Sequence, residues 1–406
     1  MTKNWIRFSV FCLLFVFVFT FLNNAFALRW GGWNDFYKLP KNSVDILFLG
    51  NSHGYFAFNP KIVDDVTSMN SYVLGIPGES IDLTYYELKT ALKYQNPKII
   101  VMETNSASRK MGATGYFFRY IDDVRLDENK LQVFIKYLFP NQLADIFPVL
   151  RTRPDWEHPA TFFSTISRYV RKFNSLEIDP NKGHEVFWNV VSDDLYFDKS
   201  QHSKMGSYNP PQENQEFLEK IVQLCKENDI KLVFVTTPML ENFDENPNYD
   251  DRMNIGMYAK ANGISRYTFD LANLSQIYFL DSQHVNELGA TVVTSEVSTF
   301  IGQELGVSAD EAKIAGYLKF AGFAFTKENH DNHYKITIQN KESSANFVYR
   351  WVLVADKKKL DEGDWSPANS FSFDLPQARN VNVEVEIQDV DTGYTVKCVF
   401  SIVKEK

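Results

Sequence analysis

Apolar positions fall along this chain in three rhythms. The first is continuous. Lys3 and Arg7 precede an uncharged run from Phe8 to Leu22, FSVFCLLFVFVFTFL. Basic residues ahead of such a run stay on the cytoplasmic side, so the chain beyond it is exported. Two readings of residues 1–28 stand side by side. Ala25-Phe26-Ala27 has the small-x-small pattern of a signal-peptidase site, which makes the segment a signal peptide cleaved after Ala27 and the protein secreted or periplasmic. Alternatively, Ile6 to Leu28 crosses the bilayer as an uncleaved membrane anchor, with Asn23 and Asn24 near the outer interface. A lipoprotein does not fit, because bulky Phe11 stands before Cys12 where a small residue is needed.

The second rhythm covers residues 42–305, where short Val/Ile/Leu runs alternate with stretches of helical spacing. Strands are expected at Val44–Leu49, Ser71–Leu74, Lys98–Glu103, Lys231–Thr236 and Arg266–Asp270. Helices are expected at Glu79–Tyr94, 211–228 and Leu288–Leu305. This alternation predicts an α/β fold, a three-layer arrangement with helices on both faces of a parallel sheet. Residues 107–210 interrupt it with an aromatic, irregular insertion carrying Tyr116, Phe117, Phe118, Tyr120, Trp156, Phe162, Phe163 and Trp188, and Arg151, Arg153, Arg168 and Arg171. It reads either as a lid or substrate wall or as a scaffold packed on itself. The third rhythm has period two. Tyr334–Ile338, Phe347–Val354, Ser370–Asp374, Val381–Ile387 and Tyr394–Val403 alternate apolar and polar positions, and Asp391-Thr392-Gly393 marks a hairpin. Residues 318–406 are therefore expected to form an Ig-like β-sandwich domain, a partner- or glycan-binding module or a cap, joined through a short helical connector at 306–317.

Composition adds exclusions. With 44% hydrophobic and 23% charged residues the chain folds, and 15% aromatics, 34 Phe and 20 Tyr among them, suit aromatic-lined surfaces. A net charge of −9 supplies no basic field for nucleic acid. Cys12, Cys225 and Cys398 are too few for a disulfide framework or a Cys-type zinc site; the last two are expected buried and reduced.

In parallel α/β sheets ligands bind beyond the carboxyl ends of the strands, so chemistry is sought there. Gly50-Asn51-Ser52-His53 follows the first strand, where a serine is exposed at the sheet edge. Asp281 and His284 stand three apart before the last helix. A carboxylate there can fix the imidazole tautomer, and the imidazole can take a serine proton. The bland alternative makes Asp281 a helix cap and His284 a loop residue. Gly78 offers a backbone N–H and Asn105 a side-chain amide, both the kind of donor an oxyanion needs; each also serves as an ordinary turn or cap residue. Glu103 pairs with Arg109 or Lys110, or is a sheet-end carboxylate bonded to backbone N–H groups.

Together these blocks, Ser after strand one, Gly after strand two, Asn after strand three and Asp-x-x-His before the last helix, closely resemble the ordered motifs of the SGNH (GDSL-like) hydrolase superfamily. The resemblance covers roughly residues 42–305 and implies a flavodoxin-like sheet. It implies Ser52 as nucleophile, His284 as general base, Asp281 orienting His284, and an oxyanion hole of Ser52 N–H, Gly78 N–H and the Asn105 side chain, with no metal or organic cofactor. Departures are Asn51 where the family carries Asp, His53 after the nucleophile, and Glu103-Thr104-Asn105-Ser106 where it reads Gly-x-Asn-Asp; Asn51, His53 and Glu103 are the supporting residues these departures single out. They resemble the membrane-tethered SGNH proteins that work with membrane-bound O-acyltransferases on cell-surface polysaccharides. The implied activity is an exported serine esterase or O-acyltransferase on acylated glycans. A non-catalytic glycan-binding or scaffold subunit and a secreted lipase-type esterase stand as alternatives.

Overall fold

Four short runs bury every or nearly every residue and become the inner part of the central sheet, and a half-exposed fifth forms one edge. The structure, a computed structural model, describes residues 2–28, 32–109, 115–152, 158–173, 178–191, 212–239, 255–269, 274–330, 333–341 and 346–402. Strands β1 (Ile46–Gly50), β2 (Ser71–Gly75), β3 (Ile99–Glu103), β5 (Lys231–Thr236) and β6 (Ser265–Thr268) are all parallel, in the order β2-β1-β3-β5-β6; β4 (Asn189–Val190) lies elsewhere. That is the doubly wound order in which the chain reverses direction between β1 and β3, opening a crevice at their carboxyl ends.

Alternate side chains of one strand serve opposite layers. Ile46, Phe48, Val73, Ile99 and Val101 face the helices Pro60–Thr67 and Glu287–Leu305, whereas Leu47, Leu49, Leu74, Ile100 and Met102 face Ile81–Ala91 and Gln212–Glu227. Cys225 and Cys398 are buried in separate cores as free thiols, pushed up to about 12 by burial. Asp270 of the expected fifth strand lies outside the described residues.

The C-terminal region forms two packed sheets. One runs β10 (Lys358–Ser366), β9 (Phe347–Ala355), β12 (Val381–Asp389), β13 (Thr395–Ile402) and β4; the other runs β11 (Ser370–Asp374), β8 (His333–Asn340) and β7 (Phe323–His330). Tyr349 and Trp351 meet Phe371 across the gap between the sheets. Helix Glu311–Leu318 lies in the expected connector. Strands β7 and β10 were not expected. Both are edges, and β10, with the sequence KKLDEGDWS, has no buried residue. Charge on an edge blunts pairing with other chains, but it also erases the alternation by which a strand is read.

The sandwich is not a separate body. β4 comes from the insertion and pairs in parallel with β13, Val399 opposite Asn189. A single buried cluster continues from Val101 and Val293 through Phe279 and Phe320 to Val383 and Phe400. Tyr278 Oη donates to Phe320 O at 3.0 Å, and Ser275 Oγ donates to Phe323 O at 2.7 Å.

The insertion is helical where irregular chain was expected. It forms helices Gly115–Asp123, Glu128–Tyr137 and Pro159–Phe173, with Asp127 capping the second through Lys130 N. Phe117, Tyr120, Ile121 and Val124 are buried at helical spacing and form a core face, whereas Tyr116, Phe163 and Trp188 are exposed. Arg153, Trp156 and residues 192–210 lie outside the described residues, as does the side chain of Arg171.

Because the cores merge, the protein should unfold in one transition. Phe320 is fully buried against Phe323, Phe347 and Tyr394. Phe320→Ala is expected to cost about 3–5 kcal/mol and to lower a single calorimetric peak rather than split it. Two resolved peaks would mean that the sandwich folds independently.

Candidate active site

Three strand ends build the site. β1 stops at Gly50, whose φ of 145° suits glycine, and a Cβ there would lie 2.8 Å from Glu103 Cβ. A Cβ on Gly75 would meet Gly50 O at 2.1 Å. The chain then turns into the short helix Ser52–Ala57, with Asn51 Oδ1 accepting from His53 N at 3.0 Å. Ser52 is thereby placed at the edge of the sheet, 7% exposed.

Opposite it, Phe279 and Val285 form an isolated bridge, and Leu280 N donates to His284 O at 2.9 Å, closing a tight loop. Asp281 Oδ1 accepts from Gln283 N and His284 N at 2.8 and 2.9 Å and so holds the loop. Asn286, not Asp281, caps the following helix through Gly289 N. The same Asp281 carboxylate lies 2.9 and 3.0 Å from His284 Nδ1, and His284 Nε2 lies 2.8 Å from Ser52 Oγ. Burial pushes the Asp281 carboxyl up, but the bonds from the His284 ring and from the two backbone N–H groups outweigh it and hold it below the usual range. An ionised carboxylate only accepts, so Nδ1 carries the proton and Nε2 is left to accept from the serine hydroxyl.

Asn105 is brought to the same edge by a bond from the nucleophile turn. Asn51 Nδ2 donates to Asn105 Oδ1 at 2.8 Å, and Arg109 Nε donates to it at 3.3 Å. With Oδ1 so committed, the amide's NH₂ group is what remains to serve a substrate oxygen. Gly78, at φ 67°, sits under the ring of Tyr116, where a Cβ would lie 2.6 Å from the ring. Asn51, Ser52, Gly78 and Asn105 therefore occupy one edge of the sheet.

Glu103 is fully buried behind this edge. Its Oε2 accepts from Asn105 N at 2.9 Å and its Oε1 from Thr237 Oγ1 at 3.3 Å. It is thus the backbone-bonded sheet-end carboxylate, while Arg109 turns to Asn105; Lys110 lies outside the described residues. Burial outweighs these bonds and pushes Glu103 up to about 8. His53 is buried beside the His284 ring, centroids 4.9 Å apart; burial and the proximity of His284 and Arg109 hold it well below its usual range, so it is neutral. Beneath Gly78, the Glu79 carboxyl accepts from Ile76 N and Glu87 accepts from Trp33 Nε1, and burial raises both acids.

Other residues at the site carried no sequence signal. Tyr55 shares a hydrogen bond with the Ser52 side chain. Phe56 stands edge-on to His284 at 5.0 Å, and Phe187, from the insertion, stands edge-on to Phe56 at the same distance. The segment 182–191 is laced over this region. Glu185 N donates to Tyr55 O and Glu287 N to Phe187 O; His184 bridges Tyr55 O and Glu287 Oε2 at 2.9 and 2.8 Å. The insertion therefore both packs as a scaffold and lends walls to the site. Spacing could not show this, because each contact joins residues about a hundred positions apart.

No family model and no curated protein matches this sequence. Among solved structures, a candidate acylhydrolase from Bacteroides fragilis is similar at 14% identity and TM-score 0.29, covering 69% of this chain and 98% of that one. An engineered protein (8% identity, TM-score 0.19, 94% and 97% covered) and the spore cortex lytic enzyme SleM of Clostridium perfringens (11%, 0.16, 89% and 91%) are fainter likenesses. Scores this low carry no weight for fold or activity, which rest on the geometry above.

Glu103 gives the site a pH signature. Its folded pKa near 8 lies above the ordinary 4.5, so the stability it contributes is complete below about 4.5 and is lost as pH rises through about 8. Glu103→Gln keeps an acceptor for Asn105 N and has no proton to lose. Between pH 5 and pH 8 its urea midpoint should fall less than that of wild type; parallel profiles would mean that Glu103 is ionised throughout.

Proposed function

We propose that this chain is a serine esterase or O-acyltransferase of the SGNH type, held outside the membrane by its N-terminal helix and acting on acyl esters of cell-surface glycans. The observation that carries the reading is the unbroken line Asp281–His284–Ser52, with contacts of 2.9 and 2.8 Å. Ser52 Oγ attacks the acyl carbonyl as His284 Nε2 takes its proton, and Asp281 stabilises the imidazolium. The oxyanion is met by Ser52 N–H, Gly78 N–H and Asn105 Nδ2. The alcohol leaves with the proton from His284. Water, or a sugar hydroxyl in the transfer direction, then resolves the acyl-serine.

Three features support the finer reading. The order Ser, Gly, Asn, Asp-x-x-His along the chain is that of the SGNH proteins. Asn105 retains its side-chain amide although its neighbours differ from the usual block. The aromatic wall of Phe56 and Phe187 beside His284 suits the apolar face of a sugar. The helix Thr2–Phe26 is long and apolar enough to cross a membrane, with mean hydropathy 2.3 over Asn4–Phe26. Ala25 and Phe26 of the cleavage pattern are buried against the protein, which favours an anchor retained in the fold. A membrane-bound O-acyltransferase is the partner proposed for the transfer direction.

The purified full chain should react with a fluorophosphonate probe and release acetate from p-nitrophenyl acetate and acetylated xylan, and Ser52→Ala should abolish both. Labelling without turnover would assign the chain to transfer. A folded wild type that does not label would remove the catalytic reading. Asn105→Ala should lower kcat by about 10²–10³-fold. Asn51→Ala should lower kcat in the same direction, because Asn105 Oδ1 loses the donor that orients its amide; wild-type kcat in Asn51→Ala would show that Asn51 does not orient Asn105.

A further inference from the structure

The N-terminal helix is exposed from Asn4 to Val18, with Cys12 alone half-buried; from Phe19 it joins the protein. Phe19 meets Phe147 at 5.3 Å, Asn23 Oδ1 accepts from Val149 N at 3.2 Å, and Leu28 N donates to Asp122 Oδ2 at 2.6 Å. Phe21 meets Tyr169 and Phe26 meets Phe162, at 5.6 and 5.7 Å, so Pro159–Phe173 runs antiparallel to the N-terminal helix and points back along it toward the membrane.

The lengths then conflict with a free stalk. The stretch Asn4–Val18 is about 22 Å long at about 1.5 Å per residue, whereas a hydrocarbon core is about 30 Å thick. The missing turn and a half is the part already packed against residues 147–169. If Asn4 lies at the inner boundary, with the Arg7 stem reaching back to the inner headgroups, the outer boundary falls near Asn23, level with Val149 and Tyr169. From that level outward several large apolar side chains face solvent, interspersed with exposed Asn141, Gln142, Ser164 and Ser167. Phe139, Leu143, Phe147, Leu150, Phe163 and Val170 are 62%, 46%, 42%, 47%, 69% and 48% exposed. Exposed Arg168, next to Tyr169, has a stem long enough to reach phosphates from such a depth.

We infer that these insertion elements form a collar that seats in the outer leaflet of the bilayer and holds the protein flush against the lipid. The occupant is lipid because the patch is continuous with the outer end of a membrane-spanning helix and supplies the apolar length that the helix lacks. The inference rests on the anchor reading of that helix given above.

The test uses the full chain in a Cys12→Ser background, where Cys225 and Cys398 are buried, reconstituted into protein-free phosphatidylcholine vesicles. An environment-sensitive fluorophore is placed on Phe163→Cys or Leu150→Cys in the collar, on Leu14→Cys in the helix, or on Trp365→Cys in β10. Nitroxide lipids quench from near the headgroup or from mid-chain. The collar labels should be quenched severalfold more by the shallow nitroxide than by the deep one, Leu14→Cys most by the deep one, and Trp365→Cys by neither. Collar labels that behave like Trp365→Cys while Leu14→Cys is quenched would overturn the collar and leave the anchor standing. An unquenched Leu14→Cys would overturn both.

Discussion

The active end of this protein depends on how closely three strand ends approach one another. Gly75 lies against the carbonyl of Gly50, and Gly50 lies against the Cβ of Glu103, with no room at either glycine for a side chain. Because the backbones meet at this distance, the turn after β1 lies within one hydrogen bond of the turn after β3. The Asn51–Asn105 contact follows from it, and so does the placement of Ser52 beside an amide whose carbonyl is already occupied. A methyl group at either glycine would part the strands and with them Ser52 and Asn105.

Behind that edge the protein keeps unusual company for a sheet end: a buried glutamate under Asn105 and a second pair of buried acids under Gly78. Glu103 and Glu79 each accept a backbone N–H from the loop they support, and Glu87 accepts the indole N–H of Trp33. Protonated, such a group satisfies its donor without bringing a full charge into the core; ionised, it would set a negative charge near the place where the proposed oxyanion would form. The neutral state is therefore the one compatible with stability and with the proposed acyl chemistry.

The strands that carry the site could be read from the chain because each is buried on both faces and writes an unbroken apolar run. Ser52 could be singled out because a reactive side chain stands where such a strand ends, and Asp281 and His284 because they stand three apart just before the last helix. What could not be read is what depends on distant pairing. β4 has two residues and gains meaning only beside β13. β10 hides its alternation under the charges that protect an edge. Tyr55, Tyr116 and Phe187 reach the site among many aromatic residues with other employment, and nothing local marks them. The first helix of the insertion was legible in principle, since Phe117, Tyr120, Ile121 and Val124 keep helical spacing, but what that face packs against, Trp33, Phe36 and their neighbours, lies about eighty positions earlier.

The parallel pairing of β4 with β13 has a consequence for the order in which the protein matures. Val399 N donates to Trp188 O at 2.7 Å, so the segment that passes over Tyr55, Glu287 and His184 is clamped by a strand close to the end of the described chain. During synthesis from the N-terminus, Ser52 and His284 are both made well before β13, but the core that runs through Phe279 and Phe320 to Phe400 stays open until that strand arrives. A chain interrupted before its last strand therefore lacks both the closed core behind the Asp281–His284 loop and the clamp on the segment that lines the site.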